Sequence, residues 1–457
     1  PYKVPGKPES GLLWGISDET LLSNGTGDKK EQAYNYRICL TSNPANRADI
    51  TRPNGYDSTK YELLLRLFEK QPNKRKLSDY FIWSPMPNQK TDINNKGGFS
   101  TDMIGMNYQY PSAGYDQRKK IINDHEVYTK GLLYFYGHDS RVPKEQRDEM
   151  LKWGYPKDEY VEFGNWSPQL YVREARRMRG DYVMTQANCE GKELITDGVG
   201  MAAYTMDSHN IARLVVNGMV KNEGNVEVGG FGPYPISYRS LIPKKSDAKN
   251  LFVPVCLSAT HIAYGSIRME PVFMVLAQSS AMAASMAIDA KTDVQSIDVK
   301  KLQQLLKTNP LVDGSGPELL VDNDEKDNVS VKGEWSPLKK GGYGPSLLSL
   351  KGNGGNEHVR FTPSVTKKGK YTVYVYYSKQ AGQSNQTTYN VFDGKTNKEI
   401  TLHQADIIIE GQTSGEWIPL GSYDLPAGRK SHIDVTTKNS DGLVLADAVV
   451  LIPNDSK

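Results

Sequence analysis

The stretch at 251–290, LFVPVCLSATHIAYGSIRMEPVFMVLAQSSAMAASMAIDA, restricts the possible folds of this chain most. Its apolar run at 251–256 is typical of a buried strand, and the polar, glycine-containing run at 258–269 predicts a turn. Glu270 and Pro271 then suit the first turn of a helix. The small residues that would form the face of this helix toward a sheet are Ala277, Ala281, Ala284 and Ala287. A strand that leads into a helix in this way directs backbone N–H groups at a ligand above the sheet edge.

This stretch and five earlier phrases resemble a family of FAD-dependent oxidoreductases that are often labelled xanthan lyases. The earlier phrases are QAYNYRICLT (32–41), RPNGYD (52–57), QLYVREARRMRGDYVMTQ (169–186), MDSHNIARLV (206–215) and PYPISYRSLIPK (233–244). The resemblance implies that FAD is the cofactor. The residues that it implies as FAD contacts are Ser258, Ala259, Gly265, Ser266, Arg268 and Met269.

The chain departs from this family at the phosphate-binding turn. A dinucleotide-binding domain opens with a strand, a G-x-G-x-x-G turn and a helix. The glycine clusters at 97–98, 229–232, 341–342 and 352–355 lack that context and predict ordinary turns. Because the sequence also starts at Pro1, we expect a processed or shortened chain with an incomplete FAD site. A separate N-terminal fragment is then a candidate partner.

The fold class predicted for the first part is α+β, namely a partial FAD-binding α/β domain with an inserted substrate domain. Residues 1–250 would hold the substrate domain and its connections, and 251–320 the last segment of the FAD-binding domain. Helical spacing is found at 59–70, 115–136, 144–153, 168–179, 208–216 and 299–307. In the second of these helices, one face would carry Ile121, His125, Tyr128, Leu132 and Phe135. A strand is predicted at 34–41, and loops at 80–110.

Residues 321–457 predict an all-β, jelly-roll-like sandwich. Short strand patterns occur at 367–378, 387–392, 406–410, 417–420 and 443–452, separated by turn residues. The phrases GKYTVYVYY and GEWIPLGSYDL resemble the carbohydrate-binding-like C-terminal domain of golvesin and xanthan lyase proteins. The aromatic residues able to stack on sugar rings are Trp335, Tyr343, Tyr374, Tyr376, Tyr377 and Trp417. Tyr343, in a glycine loop, is the predicted sugar contact; the alternative is a sandwich that only supports the other domains.

The densest polar cluster in the first part comprises Tyr204, Asp207, Ser208, His209 and Asn210. His209 is the first candidate for a general base, because an imidazole titrates near neutral pH. The alternative is structural: Asp207 or Ser208 would cap the predicted helix, and His209 would be a polar residue of its first turn.

Three further residues that can carry a positive charge, Arg268, Arg239 and His261, are candidates for a functional role. Arg268 lies in the predicted flavin turn, where it would bind a cofactor or substrate anion or pair with Glu270. Arg239 lies between apolar residues and would bind a substrate carboxylate, and His261 is a second histidine beside the predicted flavin. The remaining cations form a run that predicts a solvated helix face: Arg173, Arg176, Arg177 and Arg179.

Three functions fit these observations. The first is a flavin-dependent oxidoreductase acting on a carbohydrate-related substrate. The second is a polysaccharide lyase that works by β-elimination, with Tyr204 or His209 as base and Arg239 neutralising a carboxylate. The third is a non-catalytic carbohydrate-binding protein. The strand–turn–helix unit at 251–290 favours the first, since a lyase does not need it.

Composition excludes several other classes. The chain has 457 residues and a formal net charge of +3, without a basic run, so we expect no nucleic-acid partner. No membrane span is predicted, and the resemblance implies a secreted, periplasmic or cell-surface protein. Three scattered cysteines predict neither disulfides nor zinc, and Cys39 and Cys256 lie in apolar runs that predict buried thiols. The histidines lie apart, so we expect no metal site.

Overall fold

The computed structural model describes residues 1–310, 318–339, 341–344, 346–352, 354–409 and 414–454. Its α-helices are α1 Glu62–Lys70, α2 Tyr115–His138, α3 Lys144–Met150, α4 Gln186–Cys189, α5 His261–Ile267, α6 Glu270–Asp289 and α7 Val299–Thr308. The strands before residue 250 are β1 Ile38–Thr41, β2 Arg47–Ala48, β3 Phe81–Met86, β4 Lys90–Asn95, β5 Tyr155–Pro156, β6 Gly198–Ala202, β7 Met206–Asp207, β8 Ala212–Val216, β9 Met219–Glu223, β10 Glu227–Val228 and β11 Tyr234–Ser237.

The remaining strands all follow residue 318. They are β12 Leu319–Asp322, β13 Val329–Lys332, β14 Ser336–Leu338, β15 Leu347–Lys351, β16 His358–Phe361, β17 Gly369–Ser378, β18 Gln386–Phe392, β19 Asn397–His403, β20 Gly415–Leu425, β21 His432–Thr436, β22 Leu443–Ala446 and β23 Ala448–Pro453. The chain divides into two compact units. The first comprises 1–176 and 208–226, and the second 177–207 and 227–457.

The first unit is built around α2 and the antiparallel sheet β1-β4-β3. The predicted helix face is confirmed, since all five of its residues are buried. The prediction of loops at 80–110 is wrong for the β3–β4 hairpin. Its turn residues Asn88 and Gln89 both have positive φ, and Thr91 and Ile93 are the buried positions of β4. Many residues of this hairpin are polar, and only two positions of β4 face the core. The sequence therefore shows little of the alternation between apolar and polar residues that predicts a strand.

The predicted helix at 168–179 is also wrong. The segment is extended, and Tyr171 forms an antiparallel bridge with Asn35. Arg173, predicted to be solvated, is 3% exposed, while Arg176 and Arg179 are exposed as expected. Pairing with another segment has therefore overridden local helix propensity.

The helix predicted at 208–216 is replaced by a β-hairpin, β8–β9. Its two-residue turn is Asn217-Gly218, with φ values of 49° and 72°. An Asn-Gly pair between two strands is the usual signal for a type I′ turn, and this signal outweighs the helical spacing. No helix follows Asp207, so neither Asp207 nor Ser208 acts as the predicted helix cap.

In the second unit, the predicted strand at 251–256 is wrong. This run is irregular, and Cys256, predicted to be buried, is exposed. The parallel bridge in this region joins Met184 to Ala259 instead. The predicted turn contains α5, and α6 begins at Glu270 as predicted.

The buried face of α6 differs from the alanine face that the sequence predicts. Ala277 and Ala281 are exposed, and Ala287 is buried. The residues that α6 does bury are Leu276, Ser279, Ser280, Ala283 and Ala287. A Cβ on Gly200 would lie 2.9 Å from Leu276 Cδ2, so a glycine in β6, rather than the alanines, permits the close approach.

By length and composition, α6 could cross a membrane, and it is the one helix of the described residues that passes this test. This is weak evidence for a span, because Leu276 and Ala283 are fully buried in the core of the unit. Met274 and Ile288, in contrast, are 72% and 74% exposed.

The sandwich predicted at the C-terminus is confirmed. Its sheets have the orders β12-β23-β17-β20, β13-β16-β21-β18-β19 and β14-β15-β22, and neighbouring strands are antiparallel. Alternate residues of β17, from Tyr371 to Tyr377, are buried between the sheets. The strand predicted at 406–410 is wrong, because 404–406 form a single 3-10 turn; Glu410 lies outside the described residues.

Candidate functional site

His209 lies in the connection between β7 and β8, within the first unit. Its Nδ1 is 2.8 Å from Asp102 Oδ2, and its backbone N–H donates to Gln32 Oε1 at 2.9 Å. The His209 side chain is 13% exposed, whereas that of Asp102 is 4% exposed. The imidazole is therefore the part of this pair that a ligand can reach.

Asp102 is also in contact with a buried cation. Its Oδ1 lies 3.3 Å from Arg173 Nη2, and the Arg173 side chain has no exposed surface. Arg173 Nη1 donates to the Ala33 carbonyl at 2.6 Å. One carboxylate thus joins an imidazole to a guanidinium, which compensates a buried charge that would otherwise be costly.

A second buried pair supports the same region. Gln32 Nε2 donates to Glu174 Oε1 at 3.0 Å, and the Tyr34 hydroxyl donates to the Glu174 carbonyl at 2.6 Å. Asn107 Nδ2 donates to the Gln32 carbonyl at 2.9 Å. Because Gln32 also accepts from His209, this network fixes the backbone of the candidate base.

The sequence singled out His209 as a candidate but not the residues that contact it. Asp102 is the one charged residue of FSTDMIG, and the three residues after it are apolar or glycine, which is the local signal that could have pointed to a buried carboxylate. The contact of Arg173 was missed because its segment was predicted to form a solvated helix face. Only the fold brings positions 102, 173 and 209 together.

The predicted flavin segment, 258–269, lies in the second unit, and much of it points inward. Ser258 is buried and its Oγ accepts from the Gly180 N–H at 3.1 Å. The Ala259 carbonyl accepts from Arg177 Nε at 3.0 Å. These atoms are therefore engaged within the unit.

The same holds for Gly265 and Ser266 of α5. A Cβ on Gly265 would lie 2.6 Å from the Asp207 carbonyl oxygen, so this glycine permits close packing against β7. Ser266 Oγ donates to the Tyr204 carbonyl and accepts from the Tyr234 hydroxyl at 2.6 Å. Both residues therefore hold the segment 258–269 in place through contacts within the second unit.

Arg268 is 7% exposed, and its Nη2 lies 3.8 Å from Asp207 Oδ2 and 3.4 Å from the Asp207 carbonyl. Asp207 is therefore a partner of Arg268, and Glu270, the partner that the sequence predicts, is exposed at the start of α6. Met269 precedes that helix as its N-cap residue and is half-buried.

The lyase candidates Tyr204 and Arg239 also lie in the second unit. Tyr204 is 37% exposed. Arg239 Nε donates to Asp197 Oδ2 at 2.9 Å, and this hydrogen bond raises the pKa of the guanidinium. The positive charge of Arg239 is therefore already balanced by the Asp197 carboxylate of the same unit.

The residues at the starts of α5 and α6 fit one side of a flavin site. Thr260, His261, Ile262 and Met269 keep exposed surface there, and the first backbone N–H groups of α6 precede its intrahelical hydrogen bonds. The sequence G-V-G-M-A-A at 198–203 has the spacing of a dinucleotide fingerprint, but Gly198 and Gly200 lie in β6. A Cβ at these two glycines would meet Pro235 and Leu276, so they serve packing rather than phosphate binding.

In the sandwich, Tyr343 belongs to an aromatic cluster with Tyr376 and Trp417. The three ring centroids lie 5.2–5.4 Å apart with steep interplanar angles. A Cβ on Gly232 would lie 2.5 Å from the Gly344 carbonyl oxygen. The Tyr343 loop therefore packs tightly against the loop at 229–232.

Asp447 holds that loop from the other side. It is 3% exposed, and its Oδ2 accepts from the Tyr343 N–H at 2.8 Å. Burial, and then the neighbouring Asp322 and Asp324, raise the pKa of Asp447 to about 8, although the Tyr343 hydrogen bond acts in the opposite direction. Among the described residues, no group of three or more His, Cys, Asp or Glu side chains is arranged to hold a metal ion.

The described residues thus combine a mixed helix-and-strand part before residue 310 with an all-β sandwich after residue 318. The model of the family described as FAD dependent oxidoreductase matches residues 12–306, more than half of the chain, and the chain belongs to that family. The model described as Golvesin C-terminal domain matches residues 319–453.

Similar solved structures cover about a third of the chain. A Paenibacillus xanthan lyase is 26% identical over 30% of this chain and 13% of its own, with a TM-score of 0.27. A Podospora anserina GH26-CBM35 β-(1,4)-mannanase is 16% identical over 31% of this chain and 28% of its own, with a TM-score of 0.24. A family 35 carbohydrate-binding module from Clostridium thermocellum is 16% identical over 29% of this chain and 97% of its own, with a TM-score of 0.23. Comparison with the curated proteins gave no match.

Proposed function

We propose that this chain is part of an FAD-dependent oxidoreductase that acts on a carbohydrate-related substrate, with His209 as general base. The observation that carries the proposal is the hydrogen bond between His209 Nδ1 and Asp102, in a chain that belongs to this family. A base held by a buried carboxylate, with its own ring partly accessible, is the arrangement that proton abstraction requires.

FAD, when bound, supplies a two-electron acceptor. The chain itself binds and orients the substrate and takes up its proton at His209 Nε2. Since Nδ1 faces Asp102, Nε2 is the ring atom left for this step.

For the cofactor, we propose contacts from Met269, Arg268 and the start of α5. The predicted contacts Ser258, Ala259, Gly265 and Ser266 would act by positioning this surface. The exposed apolar side chains of α6, Met274 and Ile288, support a separate partner fragment that would cover this helix. We further propose that the protein is secreted, periplasmic or on the cell surface.

For the sandwich, we propose saccharide binding at Tyr343, supported by the aromatic cluster around it. Aromatic faces are the usual platforms for sugar rings, and Tyr343 is half-buried rather than fully enclosed. Alternatively, Tyr343 would only fix the contact between its own loop and the loop at 229–232.

The first test is the visible absorption spectrum of the purified chain, before and after incubation with excess FAD and removal of unbound FAD. A retained flavin band that bleaches anaerobically with a mono- or oligosaccharide would support the proposal. His209→Gln should keep the band and lose the bleaching. A protein that stays colourless, and that instead forms unsaturated sugars from an acidic polysaccharide, would contradict it and favour the lyase.

A further inference from the structure

We infer that Asp102 is the positioning residue that fixes the tautomer of His209, and that Arg173 fixes the orientation of Asp102. The substrate group that this arrangement serves is a hydroxyl on the carbon to be oxidised. The inference deepens the proposed function and rests on it for the role of His209 as base.

The first step concerns the proton on the imidazole. A carboxylate only accepts hydrogen bonds, so the contact of 2.8 Å between Asp102 Oδ2 and His209 Nδ1 places the proton on Nδ1. In the neutral imidazole, Nε2 then keeps its lone pair. The Gln32 bond to the His209 N–H holds the backbone, so the ring cannot leave this contact by a shift of the loop.

The second step concerns the other oxygen of Asp102. Arg173 Nη2 lies 3.3 Å from Oδ1 and forms an ion pair with it, while Nη1 donates to the Ala33 carbonyl. The guanidinium side chain is fully buried, and a positive charge there attracts an oxygen rather than an NH2 group. Oδ1 therefore faces Arg173, and Oδ2 faces His209.

The third step is the chemistry that a neutral imidazole with a free Nε2 performs. In the oxidation of an alcohol, bound FAD would supply the two-electron acceptor for the hydride of the substrate carbon, and His209 Nε2 would take the hydroxyl proton. The substrate would leave as a carbonyl compound, and the proton would stay on an imidazolium beside Asp102. Because the substrate gives up both the hydride and the proton, no further reactant is needed for this half-reaction.

The substitution Asp102→Asn tests whether Asp102 acts by fixing the tautomer of His209 or only through its negative charge. In the variant, the amide oxygen must face Arg173, because Arg173 has no acceptor to offer. The amide NH2 then faces Nδ1 and donates to it, so the proton moves to Nε2 and the base is blocked. In Ser-His-Asp triads the same change lowers the rate by about 10⁴-fold through the wrong tautomer.

A double variant tests the part played by Arg173. In Asp102→Asn combined with Arg173→Met, no donor fixes the amide, and no unpaired charge remains. The amide oxygen is then free to turn to Nδ1. We expect this variant to regain the Nδ1–H tautomer and part of the lost rate.

The experiment is ¹⁵N NMR of histidine-labelled full-length protein, with the His209 signal assigned by its loss in His209→Gln. We expect Nδ1–H in the parent and in Asp92→Asn, a matched control in which a half-exposed Asp pairs with Arg37. We expect Nε2–H in Asp102→Asn and Nδ1–H in the double variant. An unchanged tautomer in Asp102→Asn would overturn the inference.

The second readout is the rate of anaerobic flavin bleaching at saturating saccharide. A loss of about 10⁴-fold in Asp102→Asn, recovered in part by the double variant, supports the inference. If the parent shows no bleaching but the tautomers change as expected, the oxidoreductase proposal fails and the positioning role stands. If the parent bleaches and Asp102→Asn bleaches at the same rate, the positioning role fails and the proposed function stands.

Discussion

Two buried aspartates, Asp102 in the first unit and Asp447 in the second, are almost equally shielded from solvent, at 4% and 3% exposure. Asp102 contacts an imidazole and a guanidinium. Asp447 accepts from a backbone N–H and has Asp322 and Asp324 as charged neighbours, and burial raises its pKa to about 8. At similar burial, the two carboxyl groups therefore differ in their neighbours: Asp102 lies beside a guanidinium and an imidazole, and Asp447 lies beside two further aspartates.

The largest expected effect comes from Asp102→Ala. Removing this carboxylate breaks the buried ion pair with Arg173, and breaking a buried pair costs about 3–5 kcal/mol. Urea unfolding of the variant should show this loss in the free energy of unfolding. The matched control is Asp92→Ala, which removes a half-exposed partner of Arg37 and should cost about 0–1 kcal/mol. Equal losses in the two variants would show that Asp102 is not the charge partner we describe.

The next effect is expected at the loop that Asp447 holds. In Gly232→Ala, the new Cβ would lie 2.5 Å from the Gly344 carbonyl and 2.9 Å from that of Tyr343. Backbone atoms must then shift, and overpacking of this kind costs about 1–3 kcal/mol. The control, Gly27→Ala, meets no atom within 4 Å and should change stability by at most about 0.5 kcal/mol. A change at 232 as small as that at 27 would mean that the two loops do not pack together.

A third prediction concerns the pH dependence of the sandwich. The pKa of Asp447 is raised in the fold to about 8 from its ordinary value of 3.8. The folded state therefore binds this proton more strongly than the unfolded chain, and the stabilisation it gives is complete below about pH 4. It is lost as the pH rises through about 8. Asp322, whose pKa burial raises to about 6, adds a loss of the same sign.

Asp447→Asn should remove most of this dependence. The amide keeps an acceptor for the Tyr343 N–H and carries no charge, so the variant should gain stability relative to the parent between pH 5 and pH 9. Thermal unfolding of both proteins across this range measures the difference. A variant that becomes relatively less stable as the pH rises would show that Asp447 is ionised in the fold beside a positive group.

The contrast between the two aspartates also explains what the sequence could predict of the site. His209 was predictable, because its residue type and polar neighbours are local properties. Asp102 and Arg173 were not, because their roles depend on contacts across more than a hundred and about seventy positions. Arg173 was assigned to a solvated helix, since its segment has helical spacing but pairs with the chain at Asn35.

The elements of the fold also divide into those that local sequence predicts and those that contacts between distant positions decide. Long periodic elements such as α2 and α6 were predicted at or near their starts, and the alternation of 367–378 gave β17. Short elements failed wherever a turn or a partner strand decided the structure, as at Asn217-Gly218. The buried face of α6 was also misplaced, because small residues lie on several of its sides and only the partner strand β6 selects one.

The smallest expected effect tests why Asp447 is protonated. Burial is the larger cause, and Asp324, an exposed neighbour, acts only through its charge. Asp324→Asn keeps the Oδ1 that accepts from Ser346 Oγ, so the loop should be preserved. Removing the charge should move the pH-dependent loss of stability slightly downward, and it should change stability at pH 7 by less than about 0.5 kcal/mol. Asp327→Asn, at an exposed aspartate outside the groups that act on Asp447, should leave that pH profile in place. A shift in Asp324→Asn as large as the effect of Asp447→Asn would show that like-charge repulsion, and not burial, keeps this carboxyl protonated.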